Sequence, residues 1–193
     1  MEENKIKDCR LVIIGGSAGS LNALMQILPG LKKLNNFAIV IVLHRKSTDD
    51  QTLEELLTLK SKVAVRPIED KTLLIAGFVY VAPSNYHLLF EKDETMALDI
   101  SEKINYSRPS IDVSFESAAE VYGSSLAGIL FSGSNTDGTE GLKAIQAHGG
   151  KIVVQNPLSA DMPFMPNNAI LFTTPDYIMN NAEILKLLNS INH

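Results

Sequence analysis

The stretch Val12–Leu24, VIIGGSAGSLNAL, indicates the fold class, and the pattern of the remaining sequence agrees with it. A short apolar run enters a glycine-rich turn, and a helical pattern follows the turn. Five apolar residues then recur at the spacing of one helix face: Leu21, Leu24, Met25, Leu28 and Leu31. A strand, a tight turn and a helix form the unit from which parallel sheets are built. The turn is therefore expected at the carboxyl end of a strand, where such sheets bind their ligands.

The same alternation of strand and helix continues along the chain. Further apolar runs include FAIVIVL (37–43), LAGILF (126–131) and KIVVQ (151–155), and such uninterrupted runs are typical of strands buried on both faces. Residues 47–50, STDD, resemble a capping box before a helix. Residues 87–101 are split by polar turn residues and predict a short antiparallel hairpin. We therefore expect an α/β fold with a doubly wound, mostly parallel sheet, a Rossmann-like three-layer sandwich, with that hairpin added.

Composition limits the classes of function. The 193 residues are expected to form a single catalytic domain, 1–193. The net charge of −5 comes without a basic run, so no nucleic-acid partner is expected. The longest apolar run has seven residues and no secretory signal is recognisable, so we expect no membrane insertion and a cytoplasmic location. The single cysteine, Cys9, excludes a thiolate metal cluster, and we expect neither metal nor cofactor.

The glycine-rich turn fits the pattern G-x-S-x-G, from Gly15 through Ser17 to Gly19. It does not fit a dinucleotide fingerprint or a P-loop, because the required glycines and lysine are missing. A serine in such a turn is held up at a strand end beside helix N–H groups, as a nucleophile requires. Alternatively, Ser17 caps the helix or the turn binds an anion. Ser20 is the better-placed cap, which leaves Ser17 without an obvious structural duty.

A serine nucleophile needs a base, and the sequence offers four histidines. His44 ends a buried strand run, which makes it the best-placed candidate, although it could be an ordinary turn residue. His87 could line the crevice or merely pack. His148 suits a helix C-terminus, and His193 ends the chain.

The base in turn needs an orienting acid. Asp137 follows another buried strand in a glycine-rich loop, so Ser17, His44 and Asp137 come from three separate strand ends. Alternatively, Asp137 is a helix cap that pairs reciprocally with Glu140. The other candidate carboxylates are Asp49, Asp50 and Asp161.

Six ordered segments resemble the catalytic domain of the bacterial chemotaxis protein-glutamate methylesterases over nearly the whole chain. They are IGGSAGS (14–20), VLHR (42–45), YVAPSNYHL (80–88), RPSIDVSFESAA (108–119), FSGSNTDGTEGL (131–142) and QNPLSADMPFMPNNAI (155–170). The resemblance implies a parallel α/β sheet and a Ser–His–Asp hydrolase. It assigns Ser17 as nucleophile, His44 as general base and then acid, and Asp137 as the orienting acid. The substrates implied are methyl esters of glutamate on cytoplasmic chemoreceptor helices, and in some members receptor glutamines.

The sequence also departs from the family pattern. Ala18 stands in place of a threonine, Leu43 in place of a glutamine, and Ser134–Asn135 in place of Met-Gly. The backbone N–H groups of Ala18 and Ser134 remain candidates for binding the oxyanion, because such donors survive substitution. Arg108 could line the substrate cleft or lie on the surface.

Regulation and substrate stay open at this point. The family usually carries an N-terminal receiver domain, but only about ten residues precede the first strand here. We therefore expect constitutive activity, a separate regulator or receiver partner, or a longer parent chain. The alternatives to a methylesterase are a serine esterase or amidase with another substrate, and a non-catalytic signalling module of the same fold.

Overall fold

The computed structural model of the protein describes residues 6, 8–45 and 52–191. Its strands are β1 (Leu11–Gly16), β2 (Ala38–Leu43), β3 (Val65–Pro67), β4 (Thr72–Leu73), β5 (Val79–Val81), β6 (His87–Phe90), β7 (Thr95–Asp99), β8 (Leu126–Leu130), β9 (Lys151–Gln155) and β10 (Tyr177–Met179). Its helices are α1 (Ser20–Ile27), α2 (Thr52–Lys60), α3 (Ile111–Tyr122), α4 (Thr139–Ala147), α5 (Phe164–Phe172) and α6 (Asn181–Ser190).

Seven strands form one parallel sheet in the order β10-β9-β8-β1-β2-β5-β3. The central strands β1, β2 and β8 are buried along their whole length, as their uninterrupted apolar sequences predict. Strand β1 pairs with β2 as far as Gly16 opposite Leu43, and with β8 as far as Gly15 opposite Leu130. The predicted doubly wound α/β fold is confirmed.

Helices cover both faces of this sheet and bury two separate apolar clusters. On one face α1, α2 and α6 contribute residues such as Leu24, Leu57 and Leu187. On the other face α3 and α4 contribute Phe115 and Leu142, and α5 packs beside them. Burial of these large side chains contributes roughly 1.5–3 kcal/mol each to the free energy of unfolding. The three layers thereby fix the strand ends that carry the polar residues described below.

The predicted antiparallel hairpin is present as β6 and β7, but it belongs to a three-stranded sheet in the order β4-β7-β6. The additional strand, β4, has only two residues and is too short to show a periodic pattern. Helix α1 ends at Ile27, before the predicted apolar face does, because the chain tightens into a 3-10 turn around Pro29. Helix α3 ends at Tyr122, with Gly123 as its C-cap. The proposed capping box at residues 47–50 lies outside the described residues.

The order of the strands places a switch point at the centre of the sheet. From β1 the chain moves to β2 and onward to one edge, and it returns later to build β8, β9 and β10 on the other side of β1. The loops after β1 and β8 therefore run in opposite directions and leave a crevice between them. Ser17 follows β1, His44 follows β2, and the loop with Asp137 follows β8.

Candidate active site at the carboxyl edge of the sheet

Ser17 follows β1 directly, in a tight turn. Its N–H donates to the carbonyl oxygen of Ser132 at 2.9 Å, which fastens the turn to the loop after β8. A β-carbon on Gly16 would lie 2.0 Å from the hydroxyl oxygen of Ser20, and Gly19 adopts the left-handed backbone at φ 84°. The Ser17 hydroxyl makes no hydrogen bond with another residue of the described chain, so packing alone does not explain a serine here.

The expectation that Ser20 caps α1 is wrong. Gly19 occupies the N-cap position without a side-chain cap, and Ser20 is the first helical residue. The buried hydroxyl of Ser20 instead donates to the carbonyl oxygen of Ser132 at 2.7 Å. That oxygen already accepts from Ser17, so two donors from the serine turn meet on one acceptor. Ser20 therefore ties the turn to the β8 loop rather than to its own helix.

His44 follows β2, at the strand end next to Ser17. Its backbone N–H donates to the carbonyl of Gly16 at 3.0 Å, which extends the pairing of β1 with β2 by one residue. Its side chain is 10% exposed, with Nε2 2.6 Å from Oδ2 of Asp137 and Nδ1 3.2 Å from the amide nitrogen of Asn135. The structure thus brings His44 and Asp137 into contact. It places Ser17 at the adjacent strand end, but the contact of Nδ1 of His44 is with the side-chain amide of Asn135.

The carboxylate of Asp137 lies at the N-terminus of α3. It accepts from the N–H groups of Ile111 at 2.7 Å and Asp112 at 2.9 Å, and from the hydroxyl of Ser110 at 3.1 Å. Burial works to raise the pKa of Asp137, but the bonds from His44 and these backbone N–H groups outweigh it and hold the pKa below its ordinary value. Asp137 is therefore a fixed anion against which the ring of His44 is held.

The alternative in which Asp137 caps α4 with Glu140 is wrong. Helix α4 has Gly138 at its N-cap, in the left-handed conformation at φ 96° and without a side-chain cap. The carboxylate of Glu140 pairs with Lys143 at 2.7 Å instead. The carboxylate of Asp137 accepts from the neighbouring N–H of Gly138 at 3.1 Å, but it also accepts from N–H groups at the N-terminus of α3, so local capping alone does not explain its position.

Sequence reasoning missed Asp112, a buried acid in the first turn of α3. Its Oδ1 accepts from the N–H groups of Gly138 at 2.8 Å and Gly141 at 2.7 Å, which ties α3 to the start of α4. Burial raises the pKa of Asp112, and the nearby negative charge of Asp137 raises it further. The hydrogen bond from the Gly141 N–H acts in the opposite direction and lowers the pKa. The sequence contained one signal for this role, an acidic residue among the apolar residues of a helix face. Asp112 holds the loop that positions Asp137.

Two other histidines have structural contacts. His87 is buried, with Nδ1 accepting from the N–H of Ser110 at 3.1 Å and Nε2 donating to the carbonyl of Glu102 at 2.9 Å. It packs rather than lining the crevice with a free nitrogen. His148 lies at the C-terminus of α4, where Nδ1 donates to the carbonyl of Ala144 at 2.8 Å, as expected for a residue that meets the helix dipole.

The remaining candidates do not join the site. Asp161 is exposed and accepts a hydrogen bond from the side-chain amide of Asn22, without contact to His44. Asp49, Asp50 and His193 lie outside the described residues. Asp137 is the carboxylate that reaches the ring of His44 in the described part of the chain.

Ala18 and Ser134 are both exposed and lie on the two turns that flank Ser17. The two turns touch, because a β-carbon on Gly133 would lie 3.1 Å from the β-carbon of Ser17. The N–H of Gly133 is occupied by the carbonyl of Met162 at 3.0 Å, whereas those of Ala18 and Ser134 have no acceptor among residues 6, 8–45 and 52–191. These two N–H groups are therefore available to an oxyanion.

A pocket of about 280 Å³ opens beside His44. Three basic side chains line it, those of Arg45, Lys103 and Arg108, and none of its described lining residues is acidic. Arg45 is held by Glu54 at 2.7 Å, and Arg108 donates to the carbonyls of residues 100 and 101 at 2.9 and 2.7 Å. The further lining residues are Asn85, Tyr106 and Ser107. Arg108 thus lines a pocket beside His44 that is suited to an anionic group.

Neither a metal cluster nor a membrane-spanning helix is found in the described chain. No three or more His, Cys, Asp or Glu side chains there are grouped so that they could hold a metal ion. None of the helices described combines the length and the apolar character needed to cross a bilayer.

Comparison with known proteins identifies relatives over nearly the whole chain. The family model described as CheB methylesterase matches residues 12–188. A protein of Leptospira interrogans, provisionally named a protein-glutamate methylesterase/protein-glutamine glutaminase, is 44% identical over 91% of both chains. A Thermotoga maritima protein of that name is 31% identical over 88% of this chain and 50% of its own, so the chain spans about half of that relative.

A solved structure agrees with the fold. The crystal structure of the Thermotoga maritima CheB methylesterase catalytic domain matches with a TM-score of 0.89 and 30% identity. The match covers 94% of this chain and 97% of the other. The chain therefore shares the fold of a solved CheB methylesterase catalytic domain.

Proposed function

The chain belongs to the CheB methylesterase family, and we propose that it hydrolyses γ-methyl esters of glutamate side chains on chemoreceptors. The observation that carries this proposal is the 2.6 Å contact between His44 and Asp137 at the strand end beside Ser17. We assign the nucleophile to Ser17, the base to His44 and the orienting acid to Asp137. The whole of residues 1–193 is proposed to act as one catalytic domain, in the cytoplasm, where the receptor helices lie.

In the first half of the reaction, Ser17 Oγ attacks the ester carbonyl while its proton passes to His44. Nε2 of His44 is bonded to Asp137, so Nδ1 is the nitrogen that accepts the proton. The tetrahedral intermediate then collapses, the C–O bond to the methoxy group breaks, and the proton on Nδ1 leaves with it as methanol. In the second half, Nδ1 of His44 takes a proton from water, and the resulting hydroxide attacks the acyl-serine ester. The bond between the acyl carbon and Ser17 Oγ then breaks, the proton on Nδ1 returns to Oγ, and the free glutamate is released.

The oxyanion of each tetrahedral intermediate is assigned to the N–H groups of Ala18 and Ser134. Both are backbone donors without an acceptor in the described chain, and they come from the two turns that meet at Ser17. Preorganised donors of this kind cost no rearrangement when charge develops. The same steps convert a glutamine amide to glutamate with ammonia as leaving group, the second activity in the names of the relatives.

The basic pocket supports a substrate that carries carboxylates near the ester. The protein has a net charge of −5, so its overall field does not attract an acidic receptor helix. Lys103 and Arg108 reverse that sign locally, next to His44, whereas the charge of Arg45 is paired with that of Glu54. Arg45 and Arg108 are also tied to the protein, whereas Lys103 is exposed at the rim. The pocket therefore favours an ester flanked by acidic side chains.

Reversing the rim charge by Lys103→Glu is expected to raise KM by about three- to tenfold for a glutamyl-ester peptide with flanking glutamates, with kcat little changed. The rise should be absent for the same peptide with flanking glutamines. It should also shrink towards 1 M salt, where the Debye length is only about 3 Å. Steady-state kinetics of methanol release on both peptides measures this.

Lys92→Glu is the matched control, because it makes the same charge change in the turn between β6 and β7. That turn contains Glu94, which pairs with Arg10 at the opposite edge of the sheet. Equal effects of the two variants, or equal effects on the two peptides, would contradict the role of the pocket.

A synthetic peptide with one glutamate γ-methyl ester tests the proposed reaction, with p-nitrophenyl acetate as the competing small ester. We expect a higher kcat/KM for the peptide. A higher value for p-nitrophenyl acetate would favour a small-molecule esterase, and hydrolysis of neither would favour a non-catalytic module.

A further inference from the structure

The side-chain amide of Asn135 contacts both the backbone of the acid and the ring of the base in the proposed triad. Its Oδ1 is 3.1 Å from the backbone nitrogen of Asp137, and its Nδ2 is 3.2 Å from Nδ1 of His44. The side chain is half-buried, on the loop that follows β8. Asn135 stands where the family pattern has a glycine, so the resemblance gives this amide no role.

Hydrogen-bond chemistry fixes the orientation of this amide. The backbone N–H of Asp137 can only donate, so the Asn135 atom that faces it is the oxygen. The NH₂ group therefore points at His44 and donates, and Nδ1 must accept through its lone pair. The ring proton then lies on Nε2, which donates to Asp137 at 2.6 Å. The three residues form one directed chain of hydrogen bonds.

The hydrogen bond from Asn135 occupies Nδ1 of His44, the nitrogen that Ser17 needs as its proton acceptor. Nε2 is committed to Asp137, so Nδ1 is the ring atom left to take the serine proton. Ser17 lies against the same loop, with its β-carbon near Gly133, yet its hydroxyl makes no hydrogen bond within the described chain. Asn135 and Ser17 therefore compete for one lone pair.

We propose that Asn135 is a positioning residue that holds Nδ1 of His44 in the resting enzyme and releases it when Ser17 reacts. This inference rests on the proposed assignment of Ser17 and His44. It makes the resting site less reactive than a site with glycine at position 135, because one hydrogen bond must be exchanged before the proton can move. A neutral hydrogen bond of this kind corresponds to roughly a two- to tenfold change in rate.

The test is the rate at which a fluorophosphonate labels Ser17, compared between wild type and variants at pH 7. Asn135→Gly removes the competing donor and should speed labelling about two- to tenfold. Asn135→Asp has the same shape but places an acceptor at Nδ1, which then pairs only as N–H, so labelling should slow by about tenfold or more. Thr136→Ala, an exposed neighbour in the same loop, should label as wild type does. A merely structural Asn135 cannot give acceleration, because disordering the site slows the reaction.

Nitrogen NMR of histidine-labelled protein reads the same hydrogen bonds without any turnover. Wild type should show His44 with a proton on Nε2 and none on Nδ1, and Asn135→Asp should show protons on both. A wild-type proton on Nδ1, or Asn135→Gly labelling at or below the wild-type rate, would overturn the inference. If wild type labels normally but methylated receptor is not hydrolysed, the proposed substrate fails and the role of Asn135 stands. If neither wild type nor Asn135→Gly labels, the proposed function and this inference both fail.

Discussion

Ser17→Ala is expected to lower the rate of glutamyl-ester hydrolysis by on the order of 10⁴-fold or more. The hydroxyl makes no hydrogen bond to another described residue, so its loss should leave the free energy of unfolding nearly unchanged. The loss of rate is large because the attack and the proton transfer to His44 both need this oxygen. Methanol release under saturating substrate measures the rate, and thermal unfolding measures the fold.

Ser124→Ala is the matched control for this prediction. Ser124 is exposed, before β8 at the opposite edge of the sheet, so the same chemical change there should alter the rate less than about twofold. A Ser17→Ala protein that keeps more than about a tenth of the wild-type rate would remove Ser17 from the reaction. The glycine-rich turn would then be an anion-binding loop or a packing feature.

If the proposed triad operates, Asp137→Asn is expected to lower the rate by roughly 10⁴-fold, the effect that replacing the triad aspartate by asparagine has in a serine protease. The variant keeps Oδ1 for the N–H of Asp112 at the start of α3. Its NH₂ group replaces Oδ2, so it faces Nε2 of His44 and also the N–H of Ile111. The ring responds by carrying its proton on Nδ1, where it can no longer accept one from Ser17. The same assay measures this loss.

Asp161→Asn is the control, since Asp161 is the rival carboxylate and makes no contact with His44. It should retain at least about a third of the wild-type rate. If Asp137→Asn proved nearly silent while Asp161→Asn abolished the reaction, the orienting acid would be misassigned. Thermal unfolding of both variants measures whether each protein keeps its fold.

The sequence allows the sheet, and the strand ends that carry the proposed triad, to be predicted because both depend on local patterns. The apolar runs of β1, β2 and β8 are buried on both faces, so they show no alternation and can be recognised as central parallel strands. Ser17 and His44 follow such strands immediately, which places them at the same edge. Their positions required no knowledge of how distant segments pack.

Features that depend on contacts between distant segments could not be predicted. The sequence favours Ser20 as a helix cap, but tertiary packing turns its hydroxyl to Ser132, 112 residues away. Asp137 likewise resembles a cap for the helix that follows it, whereas its carboxylate serves the N-terminus of α3. A capping pattern in the sequence identifies hydrogen-bond partners within one segment only. It contains no information about a partner from a distant segment that the fold brings close.

The polar residues that contact the proposed triad and its loop were missed for a related reason. Asp112 occupies a helix face that is otherwise apolar, and its partners Gly138 and Gly141 are recognisable only when α3 packs on α4. Asn135 appeared in the sequence only as a departure from the family pattern. Its bond to Nδ1 of His44 spans 91 residues and depends on where β2 and β8 end relative to each other.

The central claim is most directly tested by methanol release from the methylated cytoplasmic fragment of a chemoreceptor, with wild type and Ser17→Ala side by side. We predict steady release by wild type and none above background by Ser17→Ala. Methanol release that persists in Ser17→Ala, or its absence with folded wild-type protein that is labelled at Ser17, would contradict the account. The first result would remove the serine from the reaction, and the second would remove the receptor ester as the substrate.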